Sequence, residues 1–356
     1  MRRLRSRLTP LLFPLGMIVK AVVAARNGFY SSGLFQQYRL PGPVISVGNL
    51  GLGGEGKTPL VIYLAAMLRD FGVEAALLSR GYGRLHPERT HIVAPGNQLP
   101  SPWKNIGDEP AVIWRYAPEL WIGISKNRFL AGCEILERKP KAVCILDDGF
   151  QHRSIYRDLD LVIIDCSQNL PNNRIFPIGT LREPAASLRR AQALVLNIGT
   201  DRRSTDCTEA FVRRINASAP LFHCRQEIDA MIPLRQWQSQ DQPRHSSATI
   251  ASGFLVAAVG NPERFRRDAA ATGIRITGCR FYRDHRQVPT RDWFACADAA
   301  RRTSADAILT TEKDAIKLIH APEFPVFVAR QATRVIEYQD FKTLILNSIG
   351  ASLEAH

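Results

Sequence analysis

The residues with the clearest chemical purpose are eight in a row whose types and spacing can hold the phosphates of a nucleotide. They match the pattern G-x-x-x-x-G-K-[ST] and are Gly51, Leu52, Gly53, Gly54, Glu55, Gly56, Lys57 and Thr58. In such a loop successive backbone N–H groups point into one concavity, the lysine reaches the β- and γ-phosphates, and the hydroxyl binds Mg²⁺. The sequence therefore predicts that these eight residues bind ATP and that Thr58 is a magnesium ligand.

Two adjacent acids, Asp147 and Asp148, are the natural partners of Thr58 in holding that metal. They follow the apolar run 142–146, and an apolar strand that ends in an acid is the second element of P-loop nucleotide sites. Mg²⁺ takes one or two carboxylates together with phosphate oxygens and water. We therefore predict both acids as metal ligands, the alternative being a strand that runs into an ordinary turn.

For the other residues that could take part in chemistry, spacing alone does not distinguish a functional role from a structural one. Asp108 precedes a proline and an apolar run, as a helix cap does, and a lone histidine such as His285 is more often structural than catalytic. Arg80 and Arg84 stand among glycines after an apolar run. At the carboxyl edge of a sheet they could contact phosphate or substrate, or they could belong to a solvated turn. Lys313 could likewise meet an anion or lie in a charged turn.

The segments around these residues alternate between strand and helix patterns. A β-branched run at 44–47 precedes the Gly51–Thr58 loop, and apolar residues at helical spacing over 60–68 follow it. Further apolar runs at 73–78, 142–146, 161–164 and 194–197 are typical of buried parallel strands. The sequence predicts an α/β fold with a P-loop NTPase-like parallel sheet, a second, smaller α/β domain and an N-terminal helix at the membrane interface.

Changes in composition along the chain predict its domain organisation. Residues 1–30 form the amphipathic membrane-associated helix and residues 31–225 the P-loop domain. The segment 226–249 is polar and without periodicity, which predicts a linker or hinge. Residues 250–356 form the C-terminal α/β domain, with strands at 254–259, 307–309 and 325–329.

The N-terminal helix has four possible interpretations. Four arginines lie within 1–7, and apolar residues then recur at helical spacing to 23. A basic start before an apolar stretch is also the pattern of a cleaved signal peptide, and a transmembrane helix is disfavoured by Pro10, Pro14 and Lys20. We favour an interfacial helix whose apolar face enters the bilayer while its arginines meet anionic headgroups; its plain alternative is a helix packed on its own domain.

The amino-acid composition restricts the kind of partner that the chain can bind and the redox compartment that it fits. The chain has 356 residues, a formal net charge of +14 and seven cysteines. The charge favours an anionic partner such as nucleic acid, a membrane surface or a phosphorylated substrate. The cysteines form no C-x-x-C pair and have no histidine at zinc spacing, so a reducing compartment fits best.

Along nearly its whole length the chain resembles the tetraacyldisaccharide 4′-kinase family of the lipid A pathway. The resemblance rests on motifs that match in order: 46–50 leading into 53–59, then 79–84, 107–110, 147–153, 181–184, 260–265 and 310–314. It implies transfer of the γ-phosphate of ATP to the 4′-hydroxyl of a tetraacylated glucosamine disaccharide 1-phosphate, at the cytoplasmic face of the bacterial inner membrane.

The same resemblance implies roles for individual residues. Asp108, paired with His285, assists removal of the hydroxyl proton, and Lys57 with Mg²⁺ stabilises charge on the transferring phosphoryl group. Arg80, Arg84, Arg182 and Glu183 become candidate substrate contacts. No nucleic acid and no obligate protein partner are expected.

Two other functional classes remain to be weighed. A membrane-associated regulatory P-loop ATPase would carry a lysine before the Gly53-Gly54 pair, and Leu52 occupies that place. A nucleic-acid-binding protein is suggested by charge alone, because no recognised nucleic-acid module is evident.

Overall fold

Strands of both predicted α/β units join in one twelve-stranded sheet. The computed structural model describes residues 2–96, 103–199, 202–239, 250–284 and 286–353, with side chains placed from residue 12 to 350. The strands are β1 Val44–Asn49, β2 Ala75–Ser79, β3 His91–Val93, β4 Trp121–Ile124, β5 Val143–Asp147, β6 Leu159–Asp165, β7 Ala193–Asn197, β8 Leu221–Pro233, β9 Ser252–Ala257, β10 Arg275–Phe281, β11 Ala307–Thr311 and β12 Val326–Val335.

Ten α-helices accompany these strands in the described ranges. They are α1 Arg2–Ser31, α2 Lys57–Asp70, α3 Asp108–Tyr116, α4 Arg128–Arg138, α5 Arg202–Ile215, α6 Leu234–Gln238, α7 Pro262–Ala271, α8 Thr290–Arg302, α9 Glu312–Ala315 and α10 Tyr338–Leu353. Short 3₁₀ turns lie at Trp103–Asn105, Cys166–Gln168, Leu170–Asn172 and Ala185–Arg190.

The sheet consists of two parallel blocks that meet in an antiparallel pair. The strand order is β10-β9-β11-β12-β8-β7-β6-β1-β5-β2-β4-β3. The first block runs parallel from β8 to β4, and the second block runs parallel from β12 to β10. Between them β8 and β12 pair antiparallel, and β3 is antiparallel at the far edge. The two blocks therefore point in opposite directions.

The long β8–β12 pair makes the carboxyl ends of the two blocks face each other. Asn197, at the end of β7, is level with Cys224 near the start of β8. In the other block Thr311, at the end of β11, is level with Ala329, which pairs with Met231 further along β8. The stretch of β8 from 224 to 231 spans roughly 23 Å. Because ligands bind at the carboxyl ends of parallel strands, both blocks present their binding edges to one shared space.

Both blocks are covered on both faces, as parallel sheets are. In β5, Val143 and Ile145 pack into the large core of the first block, whereas Cys144 and Leu146 pack into the core on the opposite face. In the second block the alternate residues of β9 divide between two cores in the same way. The continuous apolar runs in the sequence reflect this double burial.

The predicted fold class is confirmed. Each apolar run that the sequence assigned to a strand is one, with its boundaries shifted by one to six residues, and α2 begins at Lys57 as the P-loop pattern requires. Within the proposed linker 226–249, residues up to 233 belong to β8 and 234–238 to α6, while 240–249 lie outside the described residues. The domain boundaries therefore stay a prediction.

The long helix α1 is largely exposed. Its stretch Leu12–Ser31 is apolar and long enough to cross a membrane by length and composition, and only 6% of it is buried. One face touches the first block, where Val19 packs against a core and a Cβ on Gly16 would lie 2.4 Å from Ile178. The other face exposes large apolar side chains: Phe13, Leu15, Met17, Ile18, Val22 and Phe29.

Candidate active site

A cavity of about 720 Å³ occupies the space between the two facing edges. The first block contributes the Gly51–Thr58 loop from Leu52 onward, the loop after β2 and the acids after β5. The second block contributes Gly260 and Asn261 after β9, Asp284 after β10 and 311–313 after β11. A Cβ on Gly260 would lie only 3.1 Å from Gly53 Cα and Gly54 N, so the two edges are in close contact at the phosphate loop.

The phosphate loop is held by buried polar contacts with β8. Gly56 adopts φ 99°, a left-handed conformation that favours glycine, and a Cβ there would lie 1.9 Å from Gln226 Oε1. The Gln226 amide donates to the Gly56 carbonyl at 2.6 Å, and its oxygen accepts from Asn197 at 3.0 Å and from Arg264 at 2.9 Å. One β8 side chain thus links the loop to both blocks.

Inside the loop, the Glu55 carboxyl faces back towards Gly51. A Cβ on Gly51 would lie 2.1 Å from Glu55 Oε1, so a larger residue there would have to displace this carboxyl. Burial raises the pKa of Glu55 to about 7, although Lys57 lowers it. Glu55 therefore supports the loop from inside the protein.

Lys57 lies among groups that hold its ammonium in place. Its Nζ is 2.8 Å from Asn49 Oδ1 and 3.2 Å from Asp148 Oδ1. Arg182 contacts the other oxygen of Asp148 at 2.6 Å. Burial opposes ionisation of Asp148, but Lys57 and Arg182 outweigh it and hold the pKa of this carboxyl well below its usual range. Asp148 is therefore ionised between two cations.

The pKa of Asp147 is shifted in the opposite direction from that of Asp148. It is 2% exposed, and burial together with the nearby Glu109 and Asp148 raises its pKa to about 7. Ser79 donates to its Oδ2 at 3.2 Å, whereas its buried Oδ1 has no hydrogen-bond partner in the described part of the chain. An unsatisfied carboxylate oxygen beside an anion-binding loop is costly unless a ligand completes it.

These donors fit Mg²⁺ when a nucleotide shares the site. Thr58 offers a hydroxyl, Asp148 a carboxylate and Asp147 the free oxygen, and all three line the cavity. No cluster of three His, Cys, Asp or Glu side chains that could hold a metal occurs among the described residues. Mg²⁺ takes only one or two carboxylates and completes its shell with phosphate oxygens and water, so the hard oxygen donors suit this ion.

Two ion pairs, one half-buried and one buried, join α3 to the second block. Lys313 Nζ lies 2.5 Å from Glu109 Oε1, and Lys317 Nζ lies 2.5 Å from Asp108 Oδ2. Burial alone would raise the pKa of Glu109, but Lys313 and Lys57 lower it below the usual value. The helix cap suggested locally for Asp108 is wrong, because Gly107 occupies the N-cap position and Asp108 is the first helical residue.

The structure brings together only part of the predicted site. Arg80 and Arg182 line the cavity with the loop and the two acids. Arg84 is outside the lining and donates to the carbonyls of Ile124 and Pro87, and Glu183 is 1% exposed and pairs with Arg190 at 2.7 Å. His285 lies outside the described residues, while its neighbour Asp284 lines the cavity.

Several cavity residues had no sequence signal that revealed them. Arg128, in the first turn of α4, donates to the Asp147 carbonyl at 2.6 Å, and burial lowers its pKa to about 10. Arg26 of α1 reaches the cavity and donates to the Gln151 carbonyl at 2.5 Å. Gln226, which holds the phosphate loop from β8, was missed as well, because the polar run 225–227 shows no apolar alternation, and the alternation of buried and exposed residues appears only in the folded strand.

Comparison with known proteins agrees with this geometry. The family model described as "LpxK: Tetraacyldisaccharide-1-P 4'-kinase" matches residues 8–350. A tetraacyldisaccharide 4′-kinase of Desulfotalea psychrophila is 32% identical, covering 95% of this chain and 96% of its own length. That of Syntrophus aciditrophicus is 35% identical, covering 97% of this chain and 94% of its own length.

A solved structure shows the same fold. The crystal structure of the "apo" form of LpxK from Aquifex aeolicus in complex with ATP has a TM-score of 0.73 and 29% identity, covering 96% of this chain and 99% of that one. On the match over most of its length and on the shared architecture, the chain belongs to the tetraacyldisaccharide 4′-kinase family.

Proposed function

We propose that this protein transfers the γ-phosphoryl group of ATP to the 4′-hydroxyl of a tetraacyl glucosamine disaccharide 1-phosphate, forming lipid IVA in lipid A biosynthesis. The family assignment supports the reaction. The observation that carries it to this site is the position of Lys57, which lies in a phosphate loop with its Nζ 3.2 Å from Asp148 in a cavity shared by both blocks.

The cavity supplies the parts that phosphoryl transfer needs. The backbone of 51–58 holds the triphosphate, and Lys57 balances charge that develops on the transferred group. Thr58, Asp147 and Asp148 would hold Mg²⁺, which would neutralise phosphate charge and orient the nucleotide. Arg128, through the Asp147 carbonyl, keeps the acid-bearing turn in place.

The acceptor hydroxyl must lose a proton during the transfer. We assign this role to Asp108 together with His285, following the family resemblance. Asp108 is buried and ion-paired with Lys317, which fixes the direction of its carboxylate. Because Asp108 begins α3 beside the cavity residue Glu109, a short movement of substrate or of a bridging water would connect it to the site.

The acceptor enters from the side of α1. Arg80, Arg182 and Arg26 give that end of the cavity a positive character, which suits a phosphorylated disaccharide. Arg84 and Glu183 hold neighbouring loops in place, Arg84 through hydrogen bonds to the Ile124 and Pro87 carbonyls and Glu183 through its ion pair with Arg190. The exposed apolar face of α1 enters the bilayer at the cytoplasmic side of the inner membrane, where the acyl chains of the acceptor remain.

The same site indicates the binding partners of the protein and argues against the alternative function. The proposed partners are the lipid substrate and the membrane surface, with no nucleic acid and no obligate protein. A regulatory P-loop ATPase is not favoured, because Leu52 replaces the lysine that such proteins place before the two glycines and because the family assignment is to kinases.

The decisive experiment is a transfer assay with the purified full chain. γ-Labelled ATP, Mg²⁺ and a monophosphorylated tetraacyl disaccharide should give a labelled lipid on thin-layer chromatography. ATP consumption without a labelled lipid would contradict the kinase and favour an ATPase. An acceptor that already carries a 4′-phosphate is the matched control and should stay unlabelled.

A further inference from the structure

The cavity has two chemically different ends. Arg26, Arg80 and Arg182 lie at the end next to α1, together with Gln151 and His152. The opposite end is formed largely by the second block. Its lining combines apolar side chains with a few charged ones: Val259, Phe265, Ala329 and Val112 of α3, beside Arg264, Asp284 and Lys313. A basic end suits phosphate and sugar, whereas apolar walls with a few polar groups are typical of a site for a flat organic base.

The phosphate loop lies between these two ends of the cavity. Its position therefore determines on which side of the loop each part of a bound ATP lies. Once the triphosphate lies on residues 51–58 and the acceptor occupies the basic end, the nucleoside must lie towards the second block. This step rests on the proposed function, which places the lipid acceptor beside α1. It leaves the nucleoside facing the carboxyl ends of β9 and β11 and the middle of β12.

One side chain at this end has an unused hydrogen-bonding atom. Glu312 lines the cavity and is 8% exposed. Its Oε2 accepts from the Gln331 backbone N–H at 3.4 Å, whereas its buried Oε1 accepts no hydrogen bond from any described residue. A buried carboxyl oxygen without a partner costs stability, so a group absent from the free protein is expected to complete it.

The surroundings of Glu312 hold this side chain in place. Burial raises the pKa of Glu312 to about 7, although the neighbouring Tyr116 hydroxyl and the Gln331 N–H lower it. Tyr116 itself accepts from Trp237 at 3.0 Å. The carboxyl is therefore supported from α3, α6 and β12, and its buried Oε1 is left without a hydrogen bond from the described residues.

We propose that Glu312 Oε1 accepts a hydrogen bond from the nucleoside part of ATP and makes Glu312 a specificity-determining residue for the nucleotide. The donor is either the amino group of adenine or a ribose hydroxyl, since both present the same O···H–X chemistry. Inorganic triphosphate lacks both donors, so its binding affinity should not depend on Glu312.

The test measures binding, so that it does not depend on transfer activity. Dissociation constants for ATP and for tripolyphosphate are measured by calorimetry on the full chain, comparing the unmodified protein with Glu312→Ala and Glu312→Gln. The loss of one hydrogen bond predicts about tenfold weaker ATP binding by Glu312→Ala. Tripolyphosphate binding stays unchanged, and Glu312→Gln, which keeps an acceptor oxygen, recovers part of the ATP affinity. Glu323→Gln, an exposed acid, is the matched control.

Nucleotide analogues identify the donor on the unmodified protein, so the test does not depend on how the variants fold. The 2′- and 3′-deoxy forms of ATP remove one hydroxyl each, and purine riboside triphosphate removes the amino group. We expect about tenfold weaker binding of one analogue. Equal binding of all of them, or equal loss of ATP and tripolyphosphate binding by Glu312→Ala, overturns the proposal. Normal nucleotide binding without lipid phosphorylation contradicts the kinase function alone.

Discussion

Lys57 and Asp148 form an ion pair at the centre of the site, with Nζ 3.2 Å from Oδ1. Asp148 has φ 51°, an uncommon conformation for a residue with a side chain and one that is found at functional sites. Lys57 must exchange part of this contact for phosphate when a nucleotide binds. The ion pair therefore keeps the lysine directed into the cavity before the phosphates arrive.

Replacement of Lys57 by alanine is predicted to abolish transfer. The change removes the only loop cation that can reach the transferred group, and we expect kcat to fall at least about 10²-fold while the fold is retained. Lys139→Ala, which removes a surface partner of Glu74, is the control and should keep normal turnover. Steady-state rates with circular dichroism check both variants, and near-normal kcat for Lys57→Ala would contradict the assignment.

Asp108 allows a test that separates catalysis from stability. Asp108→Ala leaves Lys317 as a buried charge without its partner, which should cost about 3–5 kcal/mol in the free energy of unfolding. The double change Asp108→Ala and Lys317→Met removes both charges and should recover most of that stability. We expect neither variant to recover turnover, as measured by denaturant unfolding and the transfer assay. Recovery of turnover along with stability would show that Asp108 is structural.

Gly56 should tolerate no side chain. An alanine there would place its Cβ 1.9 Å from Gln226 Oε1 at φ 99°, and Gln226 cannot withdraw without losing its hydrogen bonds to Asn197, Arg264 and Gly56. We predict roughly 1–3 kcal/mol of lost stability and much weaker ATP binding. Gly350→Ala, which meets no neighbouring atom, should be neutral or slightly stabilising. Equal effects of the two variants would contradict this prediction.

Much of the architecture was predictable, because the buried parallel strands are continuous apolar runs. The phosphate loop was predictable for a different reason, since each of its residue types has a distinct task. The shared cavity was not predictable. It depends on the register by which Cys224 and Met231 of β8 place the two blocks, and register over such distances is fixed by packing that no local pattern records. Arg26 and Arg128 were missed for the same reason.

The exposed face of α1 is predicted to determine membrane binding without affecting the nucleotide site. Ile18 and Val22 are 59% and 60% exposed, so Asp at either position costs the folded protein little but opposes insertion into a bilayer. We expect weaker partition into vesicles containing anionic lipid and an unchanged Kd for ATP. Phe294→Asp, an exposed aromatic on α8, is the control and should partition normally. Unchanged partition of Ile18→Asp would reject the interfacial helix.

His223 should make stability depend on pH. Its Nδ1 lies 2.8 Å from Glu337 Oε1 and its Nε2 lies 3.0 Å from Glu209 Oε2, with Arg213 also near Glu209. Both ring nitrogens can donate only when the imidazole is protonated. Burial favours the neutral ring, but the hydrogen bonds to the two glutamates outweigh it and raise the pKa of His223.

The direction of the pH dependence of stability follows from the raised pKa of His223 in the folded protein. The stabilisation is fully present below the pKa of the unfolded chain, about 6.5, and is lost as pH rises through the higher pKa of the folded state. We therefore expect the Tm difference between the unmodified protein and His223→Gln to be largest near pH 5.5 and to shrink towards pH 9. Thermal melts across this range check it, with His86→Gln at an exposed loop as the control. A difference that stays constant with pH would mean that His223 contributes packing and not charge.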